Sequence, residues 1–207
     1  MRILWFSAER LRACLLACAI ALPCAASAQS VSYGVPSPAL AELEKQTARA
    51  MRLYRAGETE AAVQAFEAAS AIAERDFGAS NLKFIQSLNN LALIYDLSGQ
   101  LVRAEKVYRQ AIEIVESKTS AQPAQLANLR NNLAAVMLQQ CRIGDAQALY
   151  RQALALSEKS LGPNHVDTRM TRANVKRLDR YLGATTSVSV ATDDTANVGQ
   201  MLQRCIS

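Results

Sequence analysis

Side chains able to do covalent or metal chemistry are few in this chain. Its 207 residues include one histidine, His165, and five cysteines. A lone imidazole has no second ligand and no paired nucleophile, so His165 is expected to make a turn contact or cap a helix. The Ser, Asp and Glu residues form no nucleophile elbow, no phosphate-cradling glycine loop and no metal-ligand spacing. The sequence therefore predicts no catalytic residues, no metal and no cofactor. What chemistry remains lies in thiols and amides, and the number of thiols that matter depends on the N-terminus.

Arg2, Arg10 and Arg12 precede an unbroken apolar run over residues 13–22, which Pro23 stops. Ala26-Ser27-Ala28 then offers the small-x-small pattern that a signal peptidase accepts. Residues 1–28 read as a Sec-type signal peptide cleaved after Ala28, which predicts a periplasmic or secreted protein. The apolar run is too short for the roughly 20 residues that a membrane span needs. Leu15-Leu16-Ala17-Cys18 resembles a lipobox, and lipid anchoring at Cys18 is the alternative, although little apolar sequence lies between Arg12 and that cysteine.

Cleavage changes the totals. It removes three arginines, Glu9 and the only tryptophan, Trp5, and it lowers the net charge from +5 to about +3. Without a basic run this leaves no electrostatic footprint for nucleic acid, and no membrane span remains. Cys14, Cys18 and Cys24 depart too, leaving Cys141 and Cys205. In an oxidising compartment these two are expected to pair, with the polar stretch 184–197 as a tether long enough to return. Closing so long a loop would contribute about 4 kcal/mol in the chain-entropy picture. A buried free thiol at Cys141 and an intermolecular bridge through Cys205 are the other outcomes.

The elements that position these groups follow from self-comparison. Asn89-Asn90-Leu91-Ala92 recurs as Asn131-Asn132-Leu133-Ala134, and Tyr108-Arg109-Gln110-Ala111 as Tyr150-Arg151-Gln152-Ala153, both displaced by 42 residues. A weaker copy begins near residue 38, and Asn174 opens a partial fourth. In the middle copy Leu88, Leu91, Ala92, Leu93, Tyr95 and then Val102, Ala104, Val107, Tyr108, Ala111, Ile112 and Val115 recur at helical spacing. Gly99 divides the two runs. Ser37 before Pro38 suits a helix start, Gly78 and Gly162 suit helix ends, and Asn164 with Asp167 suits the start of the last helix. With half the residues hydrophobic and 20% charged, the chain can bury one core.

This grammar of small and aromatic positions resembles tetratricopeptide repeats, and at 42 residues it is similar to the longer variety of kinesin light chains. The resemblance rests on residues 89–95, Gly99, Ala104-Glu105, Tyr108, Ala111 and the linker 161–168, and it covers about residues 38 to 183. Cys141 stands at the turn glycine of the third copy, and Val166 replaces a usual proline. The resemblance implies an all-α, right-handed superhelical solenoid of about three helical hairpins plus a C-terminal capping helix. Arg169, Arg172, Lys176, Arg177, Asp179 and Arg180 mark that cap as solvated. The expected organisation is signal peptide 1–28, short leader 29–36, repeat domain 37–183 and polar tail 184–207 ending in Cys205.

In such arrays the first helix of each pair lines a concave groove, where amides hydrogen-bond the backbone of an extended ligand. The resemblance thus implies peptide binding by Asn90, Asn132 and Asn174, with Asn89 and Asn131 beside them and Arg177 at a basic end together with Arg180. Leu93, Leu97, Ala135 and Leu138 would supply apolar pockets. The same amides could instead satisfy groups between adjacent helices. Gln86, Asn128 and Met170 occupy a position where carboxylate-clamping relatives need a cation, which argues against recognition of a C-terminal carboxylate. The expected function is a non-catalytic protein-interaction module with another protein or a peptide as partner. A self-associating structural or envelope-assembly subunit, using an apolar end surface around Leu40, Leu43, Met51 and Tyr54, is the alternative.

Overall fold

The structure, a computed structural model, describes residues 37–117, 122–186 and Cys205. The expected signal peptide and cleavage site, Cys18, the expected leader and most of the polar tail lie outside the described residues. Seven helices are described: α1 (Pro38–Arg55), α2 (Thr59–Phe77), α3 (Leu82–Leu97), α4 (Leu101–Glu116), α5 (Pro123–Gln139), α6 (Ile143–Leu161) and α7 (Val166–Thr186). No strand occurs among the described residues. Each helix packs on the next in the chain, and α3 also meets α5. Three hairpins, α1/α2, α3/α4 and α5/α6, and a closing α7 form a helical-repeat solenoid. A single pair cannot cover its own apolar face, and stacking converts those faces into one continuous core.

The repeated small residues sit where helices cross closely. Ala92, Ala104 and Ala111 are fully buried, as are Ala50, Ala62, Ala134, Ala146 and Ala153. A larger side chain at these points would push the helix axes beyond the 8–10 Å typical of packed pairs. Phe66, Tyr108 and Tyr150, at 4%, 0% and 5% exposure, fill the spaces between successive crossings. One apolar position departs from the pattern: Val102, in the first turn of α4, is 79% exposed. Leu101 and Ala104 of the same turn pack against the core, which leaves Val102 on the turn's outer side.

Helix ends follow local chemistry. Ser37 accepts a hydrogen bond from the Leu40 amide at 3.2 Å, with Pro38 at the first helical position. Gly78 and Gly162 end α2 and α6 with φ of 92° and 86°. At the start of α7 the cap is His165 and not Asn164: His165 Nδ1 accepts from the Asp167 amide at 3.2 Å. His165 directly precedes the first helical residue, which puts its ring nitrogen within reach of the free amides of the first turn.

The turn inside each hairpin needs a left-handed residue. Gly57 and Gly99 fill that place in the first two, and Cys141, φ 63°, fills it in the third. A side chain costs on the order of 1 kcal/mol in this conformation, so something other than turn geometry accounts for the cysteine. Its sulfur is placed 2.07 Å from that of Cys205, with Cα atoms 5.1 Å apart. The last helix covers the third hairpin with Thr168, Thr171 and Leu178, all buried. Its Arg169, Lys176, Arg177 and Arg180 stay exposed, while Arg172 and Asp179 pair with Glu158 and Arg151 of α6.

Candidate functional site

Of the first helices α1, α3, α5 and α7, the last three carry the repeated amides, and the structure joins these amides across helices. Asn132 Nδ2 donates to Asn89 Oδ1 at 3.1 Å and to Asn128 Oδ1 at 3.2 Å. Asn174 Nδ2 donates to Asn131 Oδ1 at 3.0 Å, and Asn131 Nδ2 to Asn132 Oδ1 at 3.4 Å. In each rung the second asparagine of one repeat reaches the first asparagine of the repeat before it. The result is a ladder that ties α3 to α5 and α5 to α7.

An amide has two hydrogens to donate and one oxygen with two lone pairs. Both hydrogens of Asn132 are spent inside the protein, so its free capacity is on its oxygen. Asn174 and Asn131 each keep one hydrogen, and Asn89, which only accepts, keeps both. Asn90 differs, because no hydrogen bond of its side chain occurs among the described residues, and it is half-buried. The ladder's register explains this. The residue that would receive Asn90 on α1 is Thr47, whose side chain is shorter than asparagine's and whose hydroxyl lies against its own helix, donating to the Leu43 carbonyl at 2.8 Å. The first rung is missing, and an amide is left uncommitted.

The apolar positions divide in the same way. Leu93, Leu97 and Ala135 are half-buried, whereas Leu138 is 4% exposed and belongs to the core, so it lines no pocket. Leu43 on α1 is likewise buried, at 6%, which removes it from the apolar end surface. Leu40, Met51 and Tyr54 are half-buried there.

Two residues of this seam were not singled out by motif. Asp96 lies seven residues after Asn89, and Gln139 seven after Asn132, so both fall on the ladder's face about 10 Å further along their helices. Gln139 Nε2 donates to Asp96 Oδ1. No cation among the described residues pairs with Asp96, and burial pushes its carboxyl up to about 6, against a smaller downward pull from Gln139. Its charge is felt by two buried phenols. Tyr108 is raised well above its ordinary range, by burial first and then by Asp96, with the Asn132 amide opposing. Tyr150 is pushed up to about 12, chiefly by burial, with Arg177 opposing and Asp96 adding. The signal that could have found Asp96 was the 43-residue step to Gln139, which matches the step from Asn89 to Asn132.

Elsewhere the polar contacts tie helices together. Glu67 of α2 accepts from Tyr95 and Arg103, and the Arg103 guanidinium lies 4.3 Å from the Tyr95 ring centre. Glu105 receives both Arg109 and Arg142. Among the described residues no group of three or more His, Cys, Asp or Glu could hold a metal, and no helix is long and apolar enough to cross a membrane.

Paired antiparallel helices, small residues at the crossings and aromatic wedges between pairs define a helical-repeat scaffold of the kind that presents a face to other proteins. The chain belongs to the tetratricopeptide repeat family, whose profile matches residues 38–117 and 125–187. Members of this family bind proteins or peptides. Its fold is similar to that of BtubC (BKLC) from P. vanneervenii, 22% identical with a TM-score of 0.58 over 79% of this chain. This chain spans 60% of that one. The fold is also similar to a putative kinesin light chain of nearly identical TPR-like repeats from Podosopora anserina. There the identity is 18% and the TM-score 0.60, with 83% of this chain and 87% of that chain covered. A comparison with curated proteins finds no match.

Proposed function

We propose that the protein is a non-catalytic module of the periplasm, or of the secreted fraction, that docks an extended segment of another protein against the first-helix face. The observation carrying this reading is Asn90. A half-buried amide with neither donor nor acceptor engaged is the group an extended backbone can satisfy, since a peptide unit offers one donor and one acceptor in return. Asn174 keeps one donor hydrogen and Asn132 one acceptor position on its oxygen, and Leu93, Leu97 and Ala135 lie beside them as apolar contacts. Arg177 and Arg180 give the distal end a positive field. Export through the N-terminal signal accords with a cysteine pair positioned to bond, because such pairs persist in oxidising compartments.

The test is capture from envelope extracts by the wild type and by Asn90→Ala. The variant removes no hydrogen bond of the fold, so a folded Asn90→Ala protein that loses its partner supports groove docking. Unchanged capture counts against it. Light scattering separates this from self-association, since a concentration-independent monomer leaves no support for stacking of end helices.

A further inference from the structure

We propose that Asp96 and Gln139 form a cation subsite of the groove, which takes a Lys or Arg side chain from the docked segment. This rests on the groove-docking reading and adds the chemistry of one ligand residue. Asp96 is on the same helical face as Asn89, two turns along, and Gln139 stands in the same relation to Asn132, so the pair continues the amide seam. One carboxylate oxygen of Asp96 accepts from Gln139, and the other has no partner among the described residues. Gln139 from α5 donates to it, and its charge reaches the phenols of Tyr108 from α4 and Tyr150 from α6; Arg177 of α7 also acts on Tyr150 but makes no ion pair with Asp96.

A neutral Asn would accept the Gln139 hydrogen bond as well, so the negative charge adds nothing to that contact and is disfavoured by its burial. A guanidinium or ammonium arriving at the open oxygen supplies the missing counter-charge. Gln139, which is exposed, holds the carboxylate in place and keeps its own oxygen for a second N–H of the ligand. Charge complementarity also opposes the two parts of the face, with Asp96 calling for a cation and Arg177 for an anion. Only the ionised carboxylate can act, so the subsite weakens as Asp96 is protonated.

The probe is a phage-displayed library of random dodecapeptides, selected on the purified protein at pH 7.5. Selected peptides are expected to carry Lys or Arg. Replacing that residue by citrulline, which keeps the shape and removes the charge, should weaken binding to the wild type tenfold or more. Asp96→Asn should lower affinity for the cationic peptide to the level of the citrulline peptide, while Asp96→Glu retains part of it. Affinity of the cationic peptide should fall between pH 7.5 and pH 5, and that of the citrulline peptide should not. Peptides that bind the wild type and Asp96→Asn equally, with no preference for Lys or Arg, overturn the subsite; the groove reading then stands if Asn90→Ala still abolishes their binding. Selection of no peptide at all removes the groove reading and the subsite with it.

Discussion

The seam between α1 and α3 and the seams among α3, α5 and α7 are built from the same repeat, yet they differ in one rung. Among α3, α5 and α7, each second asparagine donates to the first asparagine of the preceding repeat, at 3.0–3.1 Å. Between α1 and α3 the acceptor is replaced by Thr47, which turns back on its own helix. One sequence position thus performs two jobs: Asn132 is structural, and Asn90 is left available. Repetition of a residue does not establish repetition of its role, because a role depends on what the neighbouring repeat supplies.

The largest expected effect concerns the far end of the array. Reducing the Cys141–Cys205 pair, or making Cys141→Ser, should lower stability by about 2–4 kcal/mol through the 64-residue separation that a bond between them would close. Urea unfolding with and without reductant measures this, and coincident curves would mean that no intramolecular bridge forms. The ladder's closed end would then owe its stability to side-chain contacts alone.

Asp96→Asn should raise stability at neutral pH by up to about 3 kcal/mol. Burial raises this carboxyl to about 6 in the folded chain. Below about pH 4 both states are protonated and the residue costs nothing. Between about pH 4 and 6 the folded chain holds a proton that the unfolded chain has released, so stability falls as pH rises. The gain from Asn should therefore be complete above about pH 6 and vanish near pH 4. Thermal melts across that range test it, and a pH-independent gain would sink the assignment.

Asn132→Ala should cost about 2 kcal/mol, since it removes two donated bonds and one accepted bond. Asn90→Ala should stay within about 0.5 kcal/mol of the wild type. Equal losses would erase the difference between the seams. Thr47→Asn would restore the missing rung, with a gain of up to about 1 kcal/mol and weaker peptide binding, because α1 would then compete for Asn90. Calorimetric titration with a selected peptide reports whether the two effects occur together.

Most of the scaffold was legible in the sequence. Ala92, Ala104, Tyr108 and their counterparts at 42-residue intervals specify close crossings and wedges, and the residues at Ser37, Gly78 and Gly162 mark helix ends by local chemistry. Val102, Asn164 and Leu138 were misread. Exposure at a helix's first turn, the choice between adjacent capping residues and the inward turn of a helix end all depend on neighbours that periodicity does not describe.

The sequence by itself determined the repeat, the helices and the order in which they stack, because these follow from contacts within one repeat or between consecutive ones. Only the tertiary structure decided which amides are spent, which is left open, and where a carboxylate stays without a cation. Those outcomes depend on whether a side chain about 43 residues away supplies a matching group at hydrogen-bond distance. A pattern of residue types records the candidates for such a contact, and the packing of α1, α3, α5 and α7 determines which contacts form.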